Sequence, residues 1–374
     1  MEIKNIGIPV YRQIEQDLKE KIENGYYRIG DRFTEKDLVK IYKVSRLTLK
    51  KATSLLAAEG YLSQIPGKGT FITSPDEQNS IDVRAKKMNR GIGILVSSIT
   101  GYLYPGIIRG AEDVCEKAGY HMVLGNYDAI PEKEKKYMEG FVQRGLAGLI
   151  IAPSYNSHLN PYYKKLKEKD IPFVLVDITV KGVEADLVAT DNFKGGYLGT
   201  KFLIQNGCKN ILFISTSLKA SSTRDRLLGY KHALEEAKVP FNKEMVKEIT
   251  SGHPHHLFAE EITRYYLSQN KIDGIFSANE PLIFGVLKAV KEKQVNSEEV
   301  VKIVSFDKPE IPLELVYPVS FITQPRYEIG RIACQLLFEM IKEKRQKNQK
   351  HFLKNIFLQP GLIEAGSREE IINV

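Results

Sequence analysis

The sequence has no run of about 18 apolar residues, so it offers no helix that would cross a bilayer. Cysteine is scarce: Cys115, Cys208 and Cys334 lie far apart, are odd in number and form no CxxC pair. That excludes a disulfide framework and a cysteine-rich zinc site, and the three read as small buried hydrophobes. No GxSxG elbow is present for a serine nucleophile. Asp113, Glu116 and Asp177 have no spacing that fixes a catalytic carboxylate pair. His253-Pro254-His255-His256 is interrupted by proline, with no carboxylate or cysteine next to it, and does not read as a metal site. Repeats of solenoid length and low-complexity tracts are missing too. The N-terminus leads into an amphipathic stretch and not a signal-peptide core, so a cytoplasmic protein is expected. No catalytic centre, metal or cofactor is expected.

What is present is a mild excess of positive charge, 54 Lys and Arg against 46 Asp and Glu in 374 residues, and its distribution carries the information. No acidic residue lies between Asp37 and Glu59, whereas Lys40, Lys43, Arg46, Lys50 and Lys51 fall in that span. Acids that are absent, and not interleaved, are what a phosphate-facing surface requires. The chain changes character near residue 75 and passes through a polar stretch poor in core-forming residues. We therefore expect a domain over 1–73, a linker over 74–90 and a larger domain over 91–374, within the two or three domains that the length allows.

Val10, Ile14, Leu18 and Ile22 repeat every four residues and predict a first helix ending at Asn24-Gly25. Thr34 and Asp37 form a capping box for a second helix with Leu38 and Ile41 facing inward. Ser45 caps a third, with Leu49, Ala52 and Leu56 inward and Gly60 at its end. Two extended runs, 61–65 and 70–73, flank the tip Pro66-Gly67-Lys68-Gly69. Helix, helix, turn, helix and hairpin is the order of a winged helix-turn-helix. In that motif Arg46 lies in the first turn of the groove-entering helix, where it can read a guanine edge, and Ser45 and Thr48 can bind phosphate. The tip sets Lys68 between two flexible glycines, suited to a minor groove or phosphate backbone. It is not a nucleotide P-loop, because six residues separate Gly60 from Gly67 and Gly69 follows the lysine.

Beyond Gly91, apolar strands are expected over 91–97, 120–126, 148–153, 172–177, 187–192, 210–215, 273–279, 301–307 and 319–324. Helical segments such as 104–118, 131–144, 193–205 and 224–237 alternate with them. Alternating β and α units imply parallel sheets covered on both faces, and the length implies two lobes. Open α/β sheets bind ligands at the carboxyl ends of their strands, where Asp177, Asn279, Asp307 and Gln324 are expected.

Residues 9–73, through Val44-Ser45-Arg46, Ala58-Glu59-Gly60-Tyr61-Leu62 and Gly67-Lys68-Gly69-Thr70-Phe71, resemble the DNA-binding domain of the GntR family of bacterial transcription regulators. The resemblance implies DNA contacts at Lys36, Ser45, Arg46, Thr48, Lys50 and Gly67. Lys50 stands where arginine is more usual and Leu47 where threonine is common. Gly91-Ile92-Gly93-Ile94-Leu95-Val96, 104–110, 191–196, Arg226-Leu227-Leu228-Gly229-Tyr230, 277–280 and 303–307 resemble the effector domain of LacI-type repressors, which is related to periplasmic sugar-binding proteins. The combination looks most like the arabinose-responsive repressors. It implies a two-lobed domain of the type I periplasmic-binding-protein class, with Tyr104, Asp177, Arg226, Asn279, Asp307 and Gln324 lining its cleft and Ser154 as a further candidate. Gly101 and Leu103 depart from the Asn and aromatic that relatives often carry.

The expected protein is a homodimeric repressor that holds double-stranded operator DNA and releases it on binding a small neutral sugar, with L-arabinose preferred. Two carboxylates, one Arg and two amides around an aromatic suit a polyol. A nucleobase would call for a pair of aromatic rings, one of which Leu103 removes. The alternatives are another pentose, hexose or nucleobase as effector, an activator, or a sugar-processing enzyme with a DNA-binding head.

Overall fold

The computed structural model describes residues 9–28, 30–65, 69–73, 90–157, 160–250, 255–294, 300–309, 317–346 and 352–366. The chain divides into two compact units, 1–89 and 90–374. No described helix is long and apolar enough to cross a membrane.

The first unit contains α1 (Val10–Glu23), β1 (Arg32–Phe33), α2 (Glu35–Tyr42), α3 (Arg46–Ala58), β2 (Leu62–Ile65) and β3 (Gly69–Ile72). The caps are the expected ones. Thr34 accepts from the Asp37 backbone while Asp37 accepts from the Thr34 backbone, and Ser45 accepts from the Thr48 N–H. Between α2 and α3 the chain turns at Lys43, which takes the left-handed conformation at φ 52°. Ile14, Leu18, Ile22, Leu38, Leu49, Ala52 and Leu56 close the core, with Phe33 from β1. Two inward positions differ from expectation. Ile41 is 49% exposed, and Tyr42 takes its place, donating its hydroxyl to Asp17 at 2.6 Å. Val10 lies at the outer edge of the α1 face, 36% exposed. The sheet order is β1-β3-β2, antiparallel, and Ile65 pairs with Gly69. The intervening tip residues Pro66, Gly67 and Lys68 lie outside the described residues.

The second unit has two parallel sheets. β4 (Gly91–Val96), α4 (Leu103–Lys117), β5 (His121–Asn126), α5 (Pro131–Gln143), β6 (Gly148–Ile151), α6 (Tyr162–Glu168), β7 (Phe173–Val176) and β8 (Asp186–Thr190) begin lobe 1. The chain then crosses to lobe 2 for α7 (Asn192–Gln205), β9 (Ile211–Ser215), α8 (Ser221–Glu236), β10 (Val246–Glu248), α9 (His255–Ser268), β11 (Gly274–Ser277), α10 (Glu280–Gln294), β12 (Lys302–Phe306) and β13 (Val319–Thr323). It returns to lobe 1 for α11 (Arg326–Gln346) and β14 (Asn355–Leu358), and crosses again for β15 (Gly361–Ile363). Sheet order is β14-β8-β7-β6-β4-β5 in lobe 1 and β10-β9-β11-β12-β13-β15 in lobe 2. Among the described strands of this unit, β15 alone runs antiparallel to its neighbour.

Each sheet is buried on both faces, which is why its strands read as continuous apolar runs. In lobe 1, Ile92, Ile94, Val96, Val174 and Val176 meet α4 and α11, while Leu95, Leu149, Ile151 and Leu175 meet α5 and α6. In lobe 2, Leu212, Ile214, Ile275 and Ile303 meet α9 and α10, while Phe213, Phe276, Val304 and Phe306 meet α7 and α8. All three cysteines are free and buried, and the Cys115 and Cys334 sulfurs lie 3.4 Å apart between α4 and α11. The strand expected over 187–192 stops at Thr190, because Asp191 caps α7 by accepting the Lys194 N–H at 2.8 Å.

Candidate functional site

The lobes enclose a cavity of about 630 Å³ at the carboxyl ends of both sheets. Asp177 directly follows β7, Asp307 follows β12 and Gln324 follows β13, so each side chain leaves its sheet at the cavity wall. Asp177 and Asp307 sit at φ 72° and 71°, a region that side-chain-bearing residues rarely enter. Backbone bonds hold the two turns: Asp177 N–H donates to Val188 at 3.2 Å, and Asp307 N–H to Ile322 at 2.8 Å.

Arg226 reaches the cavity from α8, which lies against α7 with almost no side chain between them. A Cβ on Gly196 would meet the Arg226 carbonyl at 2.1 Å, and one on Gly229 would meet the Phe193 carbonyl at 2.1 Å. This approach puts Arg226 beside Asn192, whose Oδ1 accepts Nε–H at 2.8 Å. Nη1 donates to the Ala278 carbonyl at 2.6 Å, and the guanidinium lies 3.5 Å from the centre of the Phe306 ring. Arg226 is 3% exposed. Burial lowers its pKa against the opposing pull of Asp307 and Asp177.

The acids are held in turn. Gln324 donates to Asp307 Oδ1 at 2.8 Å and accepts from the Thr190 hydroxyl at 2.6 Å. Tyr104 donates to Asp177 Oδ2 at 3.0 Å. Burial pushes Asp307 up to about 6, with Arg226 and Gln324 acting in the other direction, and burial raises Asp177 as well. The arrangement is a cation flanked by two acceptors and an amide, a set that can both donate to and accept from hydroxyl groups. Asn279 also lines the cavity, with its Oδ1 accepting from the backbone and hydroxyl of Thr216 at 3.1 and 3.0 Å.

Several contacts join the lobes, the Thr190–Gln324 bond and that from the Thr179 N–H to Ser221 Oγ at 3.1 Å among them. Glu280, opening α10, accepts the Tyr102 N–H of lobe 1 at 2.7 Å, and Arg326 donates to the Tyr102 carbonyl at 2.7 Å. Gly101 leaves the space: a Cβ there would meet Glu280 Oε2 at 2.8 Å, at a backbone φ of +84°.

On the first unit, the start of α3 is open. Ser45, Arg46, Leu47 and Lys50 are exposed, Leu47 by 80%. Thr48 is half-buried, and its hydroxyl lies 2.9 Å from Ser45 Oγ. Lys51 lies over the Tyr11 ring at 4.2 Å. Lys36 begins α2, and its side chain is outside what the structure describes, as are Gly67 and Lys68.

Comparison with known proteins gives two family matches. Residues 92–359 match the periplasmic binding protein domain, and residues 10–72 match the bacterial regulatory proteins of the gntR family. The chain belongs to the periplasmic-binding-protein-domain family and carries a GntR head. This GntR/LacI-type transcription repressor is 28% identical to an arabinose metabolism transcriptional repressor of Halalkalibacterium halodurans, over 96% of each chain. It is 30% identical to a ribose operon repressor of the same organism, over 83% of this chain and 91% of that protein. A crystal structure of a transcription regulator of Lactococcus lactis matches 75% of the repressor with a TM-score of 0.65 at 26% identity, covering 99% of that chain. A LacI family regulator of Enterococcus faecium, with bound ribose, matches 74% with a TM-score of 0.61 at 26% identity, covering 97% of that chain. These relatives are transcription regulators and not enzymes, and so is this protein.

Of the expected cleft residues, Tyr104, Asp177, Arg226, Asn279, Asp307 and Gln324 all line the repressor's cavity. Ser154 does not; its hydroxyl accepts the Asn156 N–H at 3.3 Å within its own turn, and Tyr155 lines the cavity instead. The sequence reading also missed Asn192 and Thr190, which hold Arg226 and Gln324, and Glu280. Asp191-Asn192 was in view as the end of an expected strand and within the stretch 191–196 that carries the LacI-type resemblance, not as a partner of Arg226. Tyr102, Tyr155 and Phe284 add aromatic surface to the cavity, so Leu103 does not leave Tyr104 as its only ring.

Proposed function

We propose that the repressor works in the cytoplasm as a homodimer, holding double-stranded operator DNA through 1–73 and releasing it when L-arabinose enters the cleft of 91–374. Residues 74–90 link the two domains. The observation that carries the ligand reading is the convergence of Asp177, Asp307 and Gln324 from strand ends on Arg226 of α8, with Arg226, Asp307 and Gln324 buried and Asp177 half-buried. Its donors and acceptors fit sugar hydroxyls, and Arg226 is the one Arg or Lys among the described lining residues, with three carboxylates around it, which disfavours a phosphosugar. Two relatives named for arabinose metabolism, and a similar regulator crystallised with ribose, support a pentose.

In this reading Arg46 reads a base edge. Ser45, Thr48 and Lys50 contact phosphate or adjacent bases, with Lys36, Gly67 and Lys68 completing the DNA surface. A two-fold dimer presents two heads to two half-sites. Sugar binding closes the lobes, changes the dimer geometry and lowers DNA affinity by the coupling free energy. The test is titration of the operator complex with L-arabinose, D-xylose, D-ribose, D-galactose and a purine base. L-arabinose is expected to release DNA and to bind the DNA-bound protein more weakly by the same factor. Release by the purine alone overturns the sugar reading, which the added aromatic surface makes the outcome to watch.

A further inference from the structure

We propose that the cleft has a second subsite beside the Asp177–Arg226–Asp307 cluster, and that its full ligand is an arabinose-terminated disaccharide or a comparable neutral glycoside. This rests on the sugar reading above. The cavity is lined from Gln324 after β13, through Asp307, Asn279 and Ser217, to Ile249 after β10. Those strands are neighbours in the order β10-β9-β11-β12-β13. Four steps of about 4.8 Å make the lined row roughly 19 Å wide. A single sugar ring with its hydroxyls spans only about 6–7 Å, from bonds of about 1.5 Å. One ring seated on Arg226 and the two Asp residues therefore leaves the β9–β10 end to another group.

That end has a different chemistry. Ile249, Pro281 and Phe284 supply apolar surface, and His255 and His256 supply imidazoles. Leu282 and Ile283 are fully buried in the lobe 2 core, whereas Phe284 stays outside that core and is 36% exposed toward the cavity mouth. The wall is fixed in place: a Cβ on Gly285 would meet the His256 carbonyl at 1.8 Å, so the start of α9 lies hard against α10 beside Phe284. Burial and the neighbouring His256 lower the pKa of His255, which keeps it neutral at pH 7. A ring face for the C–H side of a sugar, with imidazoles at its edge and Arg226 at the other end of the row as the one Arg or Lys among the described lining residues, suits a neutral second ring.

The full chain is tested by calorimetry with matched pairs: L-arabinose and 1,5-linked L-arabinobiose, D-xylose and xylobiose, D-galactose and galactobiose. One disaccharide is expected to bind at least tenfold more tightly than its monosaccharide and to release operator DNA at correspondingly lower concentration. Phe284→Ala and His256→Ala each alter exposed side chains. Each is expected to remove most of that difference, with operator affinity and melting temperature unchanged. If in every pair the monosaccharide binds as well as its disaccharide, or the disaccharide is shut out, the subsite is overturned and the sugar reading stands. Variants that weaken both members of a pair equally also overturn it, since they then act on the cleft as a whole. If no carbohydrate binds and a purine does, both readings fall together.

Discussion

The two DNA- and ligand-facing regions use arginine in opposite surroundings. Arg46 stands exposed at the start of α3, next to Leu47 and Lys50, with no acid between Asp37 and Glu59. Arg226 is 3% exposed and is fixed by Asn192, the Ala278 carbonyl and the Phe306 ring. An exposed cation acts through water, is screened by salt and has freedom to meet a partner of either groove geometry. A buried one is costly to desolvate and is kept only where its hydrogen bonds and countercharges are preset. The difference teaches where each region's selectivity comes from: the head from charge placement on an open surface, the cleft from geometry fixed before the ligand arrives.

The sharpest way to break this contrast is Arg226→Ala. It leaves Asp177 and Asp307 without their cation, and loss of one partner of a buried ionic set costs about 3–5 kcal/mol. Sugar-dependent release is expected to disappear and denaturant stability of the second unit to fall. Operator affinity, measured by fluorescence anisotropy, is expected to stay within twofold.

Asp307→Asn comes next, with a loss of about 1.5–3 kcal/mol in sugar affinity from one charge-assisted hydrogen bond. The wild-type protein should show the matching pH dependence. Asp307 titrates near 6 in the folded state against an ordinary 3.8, so between those values the folded chain holds more protons than the unfolded one. Ligand-free stability therefore falls as pH rises through that window and levels off above about 6. Sugar affinity runs the other way, falling as pH drops below about 6 and the acceptor is protonated. Denaturant melts and calorimetry at several pH values check both trends, and Asp307→Asn is expected to flatten them.

Arg46→Ala is expected to relax one base preference by about 1–3 kcal/mol, read from a panel of single-base operator variants, with sugar binding unchanged. The smallest effect is that of Lys50→Ala: weaker binding across all sequences and a salt slope reduced by about one unit. If Lys50→Ala instead changed base preference, the lysine would be reading the groove despite lacking the planar fork of arginine.

Much of the head was legible because its signals are local. Thr34 and Asp37 are three residues apart, Ser45 stands directly before its helix, and both caps formed as read. Ile41 misled because at the edge of a short helix either Ile41 or Tyr42 can face inward, and the Tyr42 hydroxyl found Asp17 on another helix. The two-residue β1 is too short to carry a periodic signal. In the effector region, strand ends located Asp177, Asp307 and Gln324 because parallel sheets place such residues at the ligand edge. Ser154 obeyed the same rule and failed it, since its hydroxyl closes its own turn. Phe284 and Glu280 were not read as cavity residues, nor Asn192 as the partner of Arg226, although 277–280 and 191–196 lay in stretches that carried the resemblance, because contacts made from helix starts and a lobe crossing follow no local pattern.

The crossings also set the order in which this chain acquires structure on the ribosome. Lobe 2 uses a nearly unbroken stretch, α7 through β13, and has its main cores once residue 323 has emerged. The strands of lobe 1 are synthesised first but finish last. Ile92, Ile94, Val96 and Val174 lack the cover of Ile329, Ala333, Leu336, Leu337 and Ile341 until α11 emerges. A fragment ending near residue 325 thus holds the residues of both main lobe 2 cores behind a sheet whose one apolar face is covered by α4 alone, a species exposed to chaperones and to aggregation. Because α11 follows lobe 2 in the sequence, fragments that lack it present a hydrophobic surface that quality control can detect.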